Sequence, residues 1–129
     1  MTGPPRWLTR QIVDAMQSIL IEEHGGLHGI RDSSLIESAL ARPINRFHYE
    51  ESDLADLAAA YAYGLVKNHG YVDGNKRIAL GALLLFLRRN GFKVQMEEPE
   101  AVLLTLELAA GGLMEHELAS LLRAKMYAI

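Results

Sequence analysis

Nine consecutive residues, His69-Gly-Tyr-Val-Asp-Gly-Asn-Lys-Arg77, gather an imidazole, a carboxylate, an amide and two cations in one short stretch. Ile78 to Leu87 follows, ten residues without a polar side chain. The order suggests a phosphate site mounted on the start of a core helix. A helix N-terminus carries partial positive charge and favours acidic residues, so Lys76 and Arg77 add like charge to like unless an anion neutralises them. Transfer of a nucleotide phosphate to a protein hydroxyl needs a base, a metal ligand and donors for the phosphate oxygens. His69 suits the base, because an imidazole titrates near operating pH. Asp73 is a hard oxygen ligand for Mg2+, which takes one or two carboxylates and completes its shell with water and phosphate. Gly74 lets backbone N–H groups approach an anion closely, Asn75 adds a neutral donor, and Lys76 and Arg77 clamp the remaining oxygens. Tyr71 is expected to point inward and pin the loop. Taken singly, His69 reads as a helix C-cap and Asp73 as an N-cap. That reading leaves the paired first-turn cations without a role.

The elements that must position this loop read as helices almost throughout. Thr9 caps a first helix with apolar positions Ile12, Val13, Met16, Ile19 and Leu20, stopped at Gly25-Gly26. A loop over residues 24–32 precedes a second helix, opened by Asp32 or Ser34 with capping-box spacing to Glu37 and closed by Pro43. Residues 44–52 are expected to be irregular, with a short flap hairpin. A third helix spans 53–68, where Ala55, Ala58 to Ala60, Ala62 and Gly64 allow close packing. The fourth, apolar on most sides over 78–89, is expected at the centre. Residues 92–96 are expected to be extended. Pro99 sits in the first turn of a fifth helix that Gly111-Gly112 ends, and a sixth runs over about 114–127. The expected fold is all-α, a compact bundle of about six helices forming a single domain over 1–129.

Bulk properties narrow the function. The chain has 129 residues, 50% hydrophobic and 22% charged, so a disordered chain is excluded and one ordinary core is expected. A net charge of −3 argues against direct nucleic-acid binding. No cysteine is present, which removes disulfide and thiol chemistry and fits a reducing cytoplasm. The first six residues hold no signal-type apolar run, and the run over 78–87 is shorter than the roughly 20 residues that span a bilayer. No membrane association is expected.

The nine-residue loop resembles the signature of the Fic/Doc family, His-x-Phe-x-Asp/Glu-Gly-Asn-Gly/Lys-Arg, with Tyr71 in place of the usual Phe. Gly-Gly-x-x-Gly-Ile-Arg-Asp at 25–32, Leu-Ile-Glu-Ser-Ala-Leu-Ala-Arg-Pro at 35–43 and Phe-Leu-x-x-Asn-Gly at 86–91 also look like the Doc branch, so the resemblance covers most of the chain. It implies His69 as the base on the acceptor hydroxyl and Asp73 as the Mg2+ ligand. Gly74 and Asn75 become the anion cradle, and Lys76 and Arg77 the phosphate clamps for ATP. Family members with glycine at position 76 transfer AMP, whereas the Doc branch carries lysine there and transfers the γ-phosphate. Lys76 therefore points to a protein Ser/Thr kinase, the toxin of a toxin–antitoxin pair, with translation elongation factor Tu the implied target. Residues 47–52 resemble the family's flap for an extended target segment. A Phd-type antitoxin, its C-terminal helix lying in a groove, is the implied partner. The chain shows no self-inhibitory Ser/Thr-x-x-x-Glu-Gly motif. An AMP transferase is the runner-up, and a non-catalytic anion- or partner-binding module is the rival from another class.

Other groups read as structural. Gly25 and Gly26 break any helix that would align His24 with His28 as metal ligands. Met114-Glu-His-Glu117 lacks the second histidine of a zinc site. Arg88 and Arg89 suit the last turn of the fourth helix, and Arg31 and Asp32 suit a loop contact and a cap. Tyr127 and Ile129 are expected at an exposed edge.

Overall fold

The computed structural model describes residues 3–129, so Met1 and Thr2 of the N-terminal segment lie outside it. Six helices follow in order, α1 (Arg10–His24), α2 (Ser33–Tyr49), α3 (Leu54–Asn68), α4 (Asn75–Arg89), α5 (Glu98–Ala110) and α6 (Glu115–Lys125). Two short strands, β1 (Phe92–Val94) and β2 (Met126–Ala128), pair antiparallel with Lys93 opposite Tyr127. No described helix is long and apolar enough to cross a membrane.

Side-chain caps set several boundaries. Thr9 Oγ1 accepts from Ile12 N at 3.2 Å to open α1, and Asp32 Oδ1 accepts from Leu35 N at 3.2 Å to open α2. Asp53 and Asp56 exchange side chain-to-backbone bonds in a capping box at the start of α3.

The proline at position 43 does not end α2. The helix runs through it to Tyr49, and the hairpin expected over 44–52 shrinks to the short connection before Leu54. A helix-interior proline removes one backbone bond and costs about 3 kcal/mol. Packing offsets that cost. Pro43 is buried, Phe47 packs edge-on to Trp7 at 5.6 Å, and Arg46 reaches Glu115 of α6 at 2.8 Å. The carbonyl that lost its donor, Ala39 O, lies in the tight crossing of α2 and α3, where a Cβ on Gly64 would be 3.2 Å from it.

The C-terminus also differs from expectation. The sixth helix stops at Lys125, because the next three residues take up the ladder that β1 offers. Tyr127 and Ile129 are exposed there.

The centre is shared. α4 packs against α1, α3, α5 and β1, yet the most enclosed helix is α3, against α2, α4, α5 and α6. Its alanines and Gly64 let neighbours approach closely, and among its residues only Lys67 is exposed. On α4, by contrast, Leu84 stays exposed and Leu80 and Leu85 are half-buried. Tyr61, Tyr71, Ile78, Phe86, Leu118 and Leu122 anchor the core.

An ionic network ties the far ends of α2, α3 and α6. Arg42 and Arg46 grip Glu115, while Arg123 binds Asp53 and Asp56. The Arg123 guanidinium, helped by the Asp56 backbone, holds the Asp53 carboxyl at about 2, against an ordinary 3.8. A depressed folded value means that the contribution is present above the unfolded value and is lost as pH falls towards the folded one. Asp53→Asn keeps the cap and loses the charge. Its urea midpoint is expected to lie below wild type at neutral pH, the gap closing between pH 3.8 and about 2. A gap that persists at the acid end would refute this assignment.

Candidate active site

The nine-residue loop joins the C-terminus of α3 to the N-terminus of α4. His69 caps α3 in the left-handed region, φ 51° and ψ 49°, and is the one non-glycine residue with positive φ among those described. That conformation costs a non-glycine residue about 1–2 kcal/mol, so its surroundings must hold it. Gly70 follows with no room for a side chain, since a Cβ there would run into Ile36. Tyr71 is buried as expected, and its hydroxyl donates to Asp14 Oδ1. Arg10 in turn binds Asp14 at 2.9 Å and Glu37 at 2.9 Å. Burial pushes the Tyr71 phenol above its ordinary range, with the Asp14 bond adding to it. Phenylalanine at this position would need no such acceptor, so Asp14 is what accommodates tyrosine here.

The loop over 25–32 lies alongside the signature. Ile30 and Tyr71 form an antiparallel bridge, and Val72 N donates to Gly29 O at 3.0 Å. The N–H groups of Arg31 and Asp32 both reach Gly70 O at 2.9 Å. Arg31 donates from its guanidinium to His69 O at 2.7 Å and to Asn68 O at 3.1 Å. Two segments forty residues apart, each singled out by its sequence, thus form one unit.

Asp73 sits between these segments. Its Oδ2 accepts from Leu27 N at 3.1 Å and its Oδ1 from Gly74 N at 2.9 Å, while its carbonyl faces the buried Gln17 amide at 3.4 Å. It does not cap α4. The two N–H groups, Leu27 first, hold its carboxyl below the ordinary range, with Arg77 and His69 adding smaller contributions. Gly26 gives this carboxylate its space, since a Cβ would sit 2.7 Å from Oδ2 at a φ of +115°.

α4 then starts at Asn75 behind Gly74, whose φ is 76°. No side chain caps it and no acid lies in its first turn. Lys76 and Arg77 are exposed, and neither forms an ion pair among the described residues. Free N–H groups, a dipole and two free cations converge on one spot, the conditions for holding an anion.

His69, Asp73, Gly74, Asn75, Lys76 and Arg77 all line one cleft of about 340 Å³. The Asn75 side chain is turned inward and buried, Nδ2 donating to Tyr71 O at 3.0 Å and Oδ1 accepting from Tyr71 N at 3.1 Å. The neutral side-chain donor expected there is instead a staple that fixes the loop. The remaining wall is apolar, from Leu80 of α4 and Val102 and Leu106 of α5, with Thr105 beside them. Sequence reasoning missed this wall; the signal was an α5 that exposes Val102, Leu103 and Leu106 beside Glu100 and Glu107. The other histidines stay outside. His28 pairs with Glu22 at 2.9 Å on the surface, and no cluster of three or more His, Asp or Glu residues suited to a metal occurs among the described residues.

The helical scaffold thus presents an imidazole, one carboxylate and a cationic helix N-terminus in a single cleft, groups suited to phosphate chemistry. Residues 7–87 match the model of the Fic/DOC family. The chain is 36% identical over 119 residues to the protein kinase doc of Escherichia phage P1, covering 92% of this chain and 94% of that one. It is 40% identical over 72 residues to the toxin Doc of Mycolicibacterium smegmatis, covering 54% of this chain and 55% of that protein. The chain belongs to the Fic/Doc family. Both relatives carry Doc names, and a phosphotransferase of the Doc type is the activity this kinship supports.

Proposed function

We propose that this protein is the toxin of a toxin–antitoxin pair, a Mg-ATP-dependent protein Ser/Thr kinase that acts in the cytoplasm and arrests translation. The observation that carries the reading is the pair of cations, Lys76 and Arg77, without an ion-pair partner among the described residues, on an uncapped helix start in the same cleft as His69 and Asp73. Lys76 occupies the position where AMP-transferring members of the family have glycine, and it supplies a cation for a terminal phosphate.

His69 takes the proton of the acceptor hydroxyl on an imidazole nitrogen as the hydroxyl oxygen bonds to the γ-phosphorus. The bond from that phosphorus to the bridging oxygen breaks, and ADP leaves. Lys76, Arg77 and the first N–H groups of α4 hold the phosphate oxygens while charge shifts between them. Asp73 fits a Mg2+ ion. It stays ionised, and the single donor spent on each of its oxygens leaves lone pairs for a metal that substrate phosphates would also ligate. Bound there, the ion would neutralise charge on the phosphates. Leu80, Val102 and Leu106 offer an apolar surface that keeps water from one side of the cleft.

The target under this reading is translation elongation factor Tu, and the inhibitor is a Phd-type antitoxin whose C-terminal helix occupies a groove, with its folding coupled to binding. Purified elongation factor Tu, incubated with the protein and Mg-ATP, should gain one phosphate on a Ser or Thr, located by mass spectrometry. An unmodified factor, under conditions where an extract protein is phosphorylated, would replace this target with that one.

A further inference from the structure

We infer that Arg31 is a positioning residue for the transfer, acting through His69; this rests on the reading of His69 as the base. Arg31 brackets the turn that carries the imidazole. Its guanidinium takes the carbonyls of Asn68 and His69, at 3.1 and 2.7 Å, and its own N–H takes the next carbonyl, Gly70 O, at 2.9 Å. Three consecutive carbonyls at the end of α3 are therefore bound by one residue of another loop. The last carbonyls of a helix lack intrahelical partners, and the bonds they accept decide how the chain leaves the helix. Here it leaves through a left-handed histidine, a conformation uncommon for residues other than glycine. Planar guanidinium donors suit two adjacent carbonyls, and a charged donor strengthens both bonds.

The arrangement separates two tasks within the same loop. Leu27 N and Gly74 N hold the Asp73 carboxylate, with Gly26 leaving it room, whereas Arg31 holds His69. A residue that merely tied the loops together would disturb both on removal. A positioning residue for His69 would disturb one. Arg31 is exposed, so shortening it opens no cavity in the core.

Arg31→Ala and Arg31→Lys, with wild type and His69→Ala alongside, are assayed with γ-labelled ATP and a fixed cell extract as acceptor. Arg31→Ala is expected to lose about tenfold to a hundredfold in kcat, the usual cost of a misplaced catalytic group, with KM for ATP and the Mg2+ half-saturation point unchanged. Arg31→Lys, which keeps the charge and can reach one carbonyl, should recover part of the loss. Solution NMR of Arg31→Ala without nucleotide should move the His69 backbone carbon shifts and leave the Leu27 amide in place. Wild-type kcat with unmoved His69 shifts would overturn the inference while leaving the base assignment intact, provided His69→Ala is silent. A shifted Mg2+ dependence or a displaced Leu27 amide would also overturn it, in favour of a general loop tie. Transfer retained by His69→Ala would instead overturn the base assignment, and this inference with it.

Discussion

Replacing His69 with alanine should abolish phosphate transfer while leaving a folded protein. The side chain projects from a C-cap into the cleft and contributes nothing to the core cluster, so its loss exposes no apolar surface. Alanine takes the same left-handed conformation at a cost of about 1–2 kcal/mol, and Arg31 still binds the carbonyls on either side of the α3 terminus. What disappears is the proposed base. General-base catalysis is worth roughly 10²–10⁴ in rate, and no second histidine lines the cleft to replace it. Thermal unfolding near that of wild type, together with transfer lost by about that factor, is the expected pair of results. Transfer retained by a folded variant would remove His69 from the base role.

Asp73→Ala should be nearly as damaging, by another route. The substitution removes the one carboxylate in the cleft and frees two N–H groups, Leu27 N and Gly74 N, that the carboxylate now occupies. Activity should fall, and whatever remains should lose its steep response to Mg2+. Asp73→Asn separates charge from shape, because an amide oxygen can still accept one of these bonds. It should restore the loop and leave the Mg2+ response weak. The carboxyl is held below its ordinary range, so its charge is constant across neutral pH and the metal response should not titrate there. A wild-type Mg2+ titration for either variant would count against the metal assignment.

Both expectations use residues that were legible before any fold was known, since a dense polar loop ahead of an apolar helix is a local pattern. The helices were legible for similar reasons. Thr9 and Asp32 act as caps, and Gly25 and Gly111 mark helix ends. What could not be read was non-local. Pro43 is locally a stop signal, and only Trp7 and Glu115, distant in sequence, make the helix continue. The last strand depends on Phe92–Val94, more than thirty residues earlier. Asn75 is polar at a helix start and reads as a ligand donor, but the buried backbone of Tyr71 claims it first. The pairing of residues 25–32 with 69–74 leaves no periodicity to detect, although both segments carry recognisable glycines.

Lys76 remains the residue on which the type of chemistry turns, and one experiment addresses it directly. The protein is incubated with Mg2+, a cell extract and ATP labelled at either the α- or the γ-phosphate, with His69→Ala as the control. Label reaching protein from the γ position alone, and absent from the control, is the expected result. Label transferred from the α position would make the protein an AMP transferase and contradict the kinase assignment.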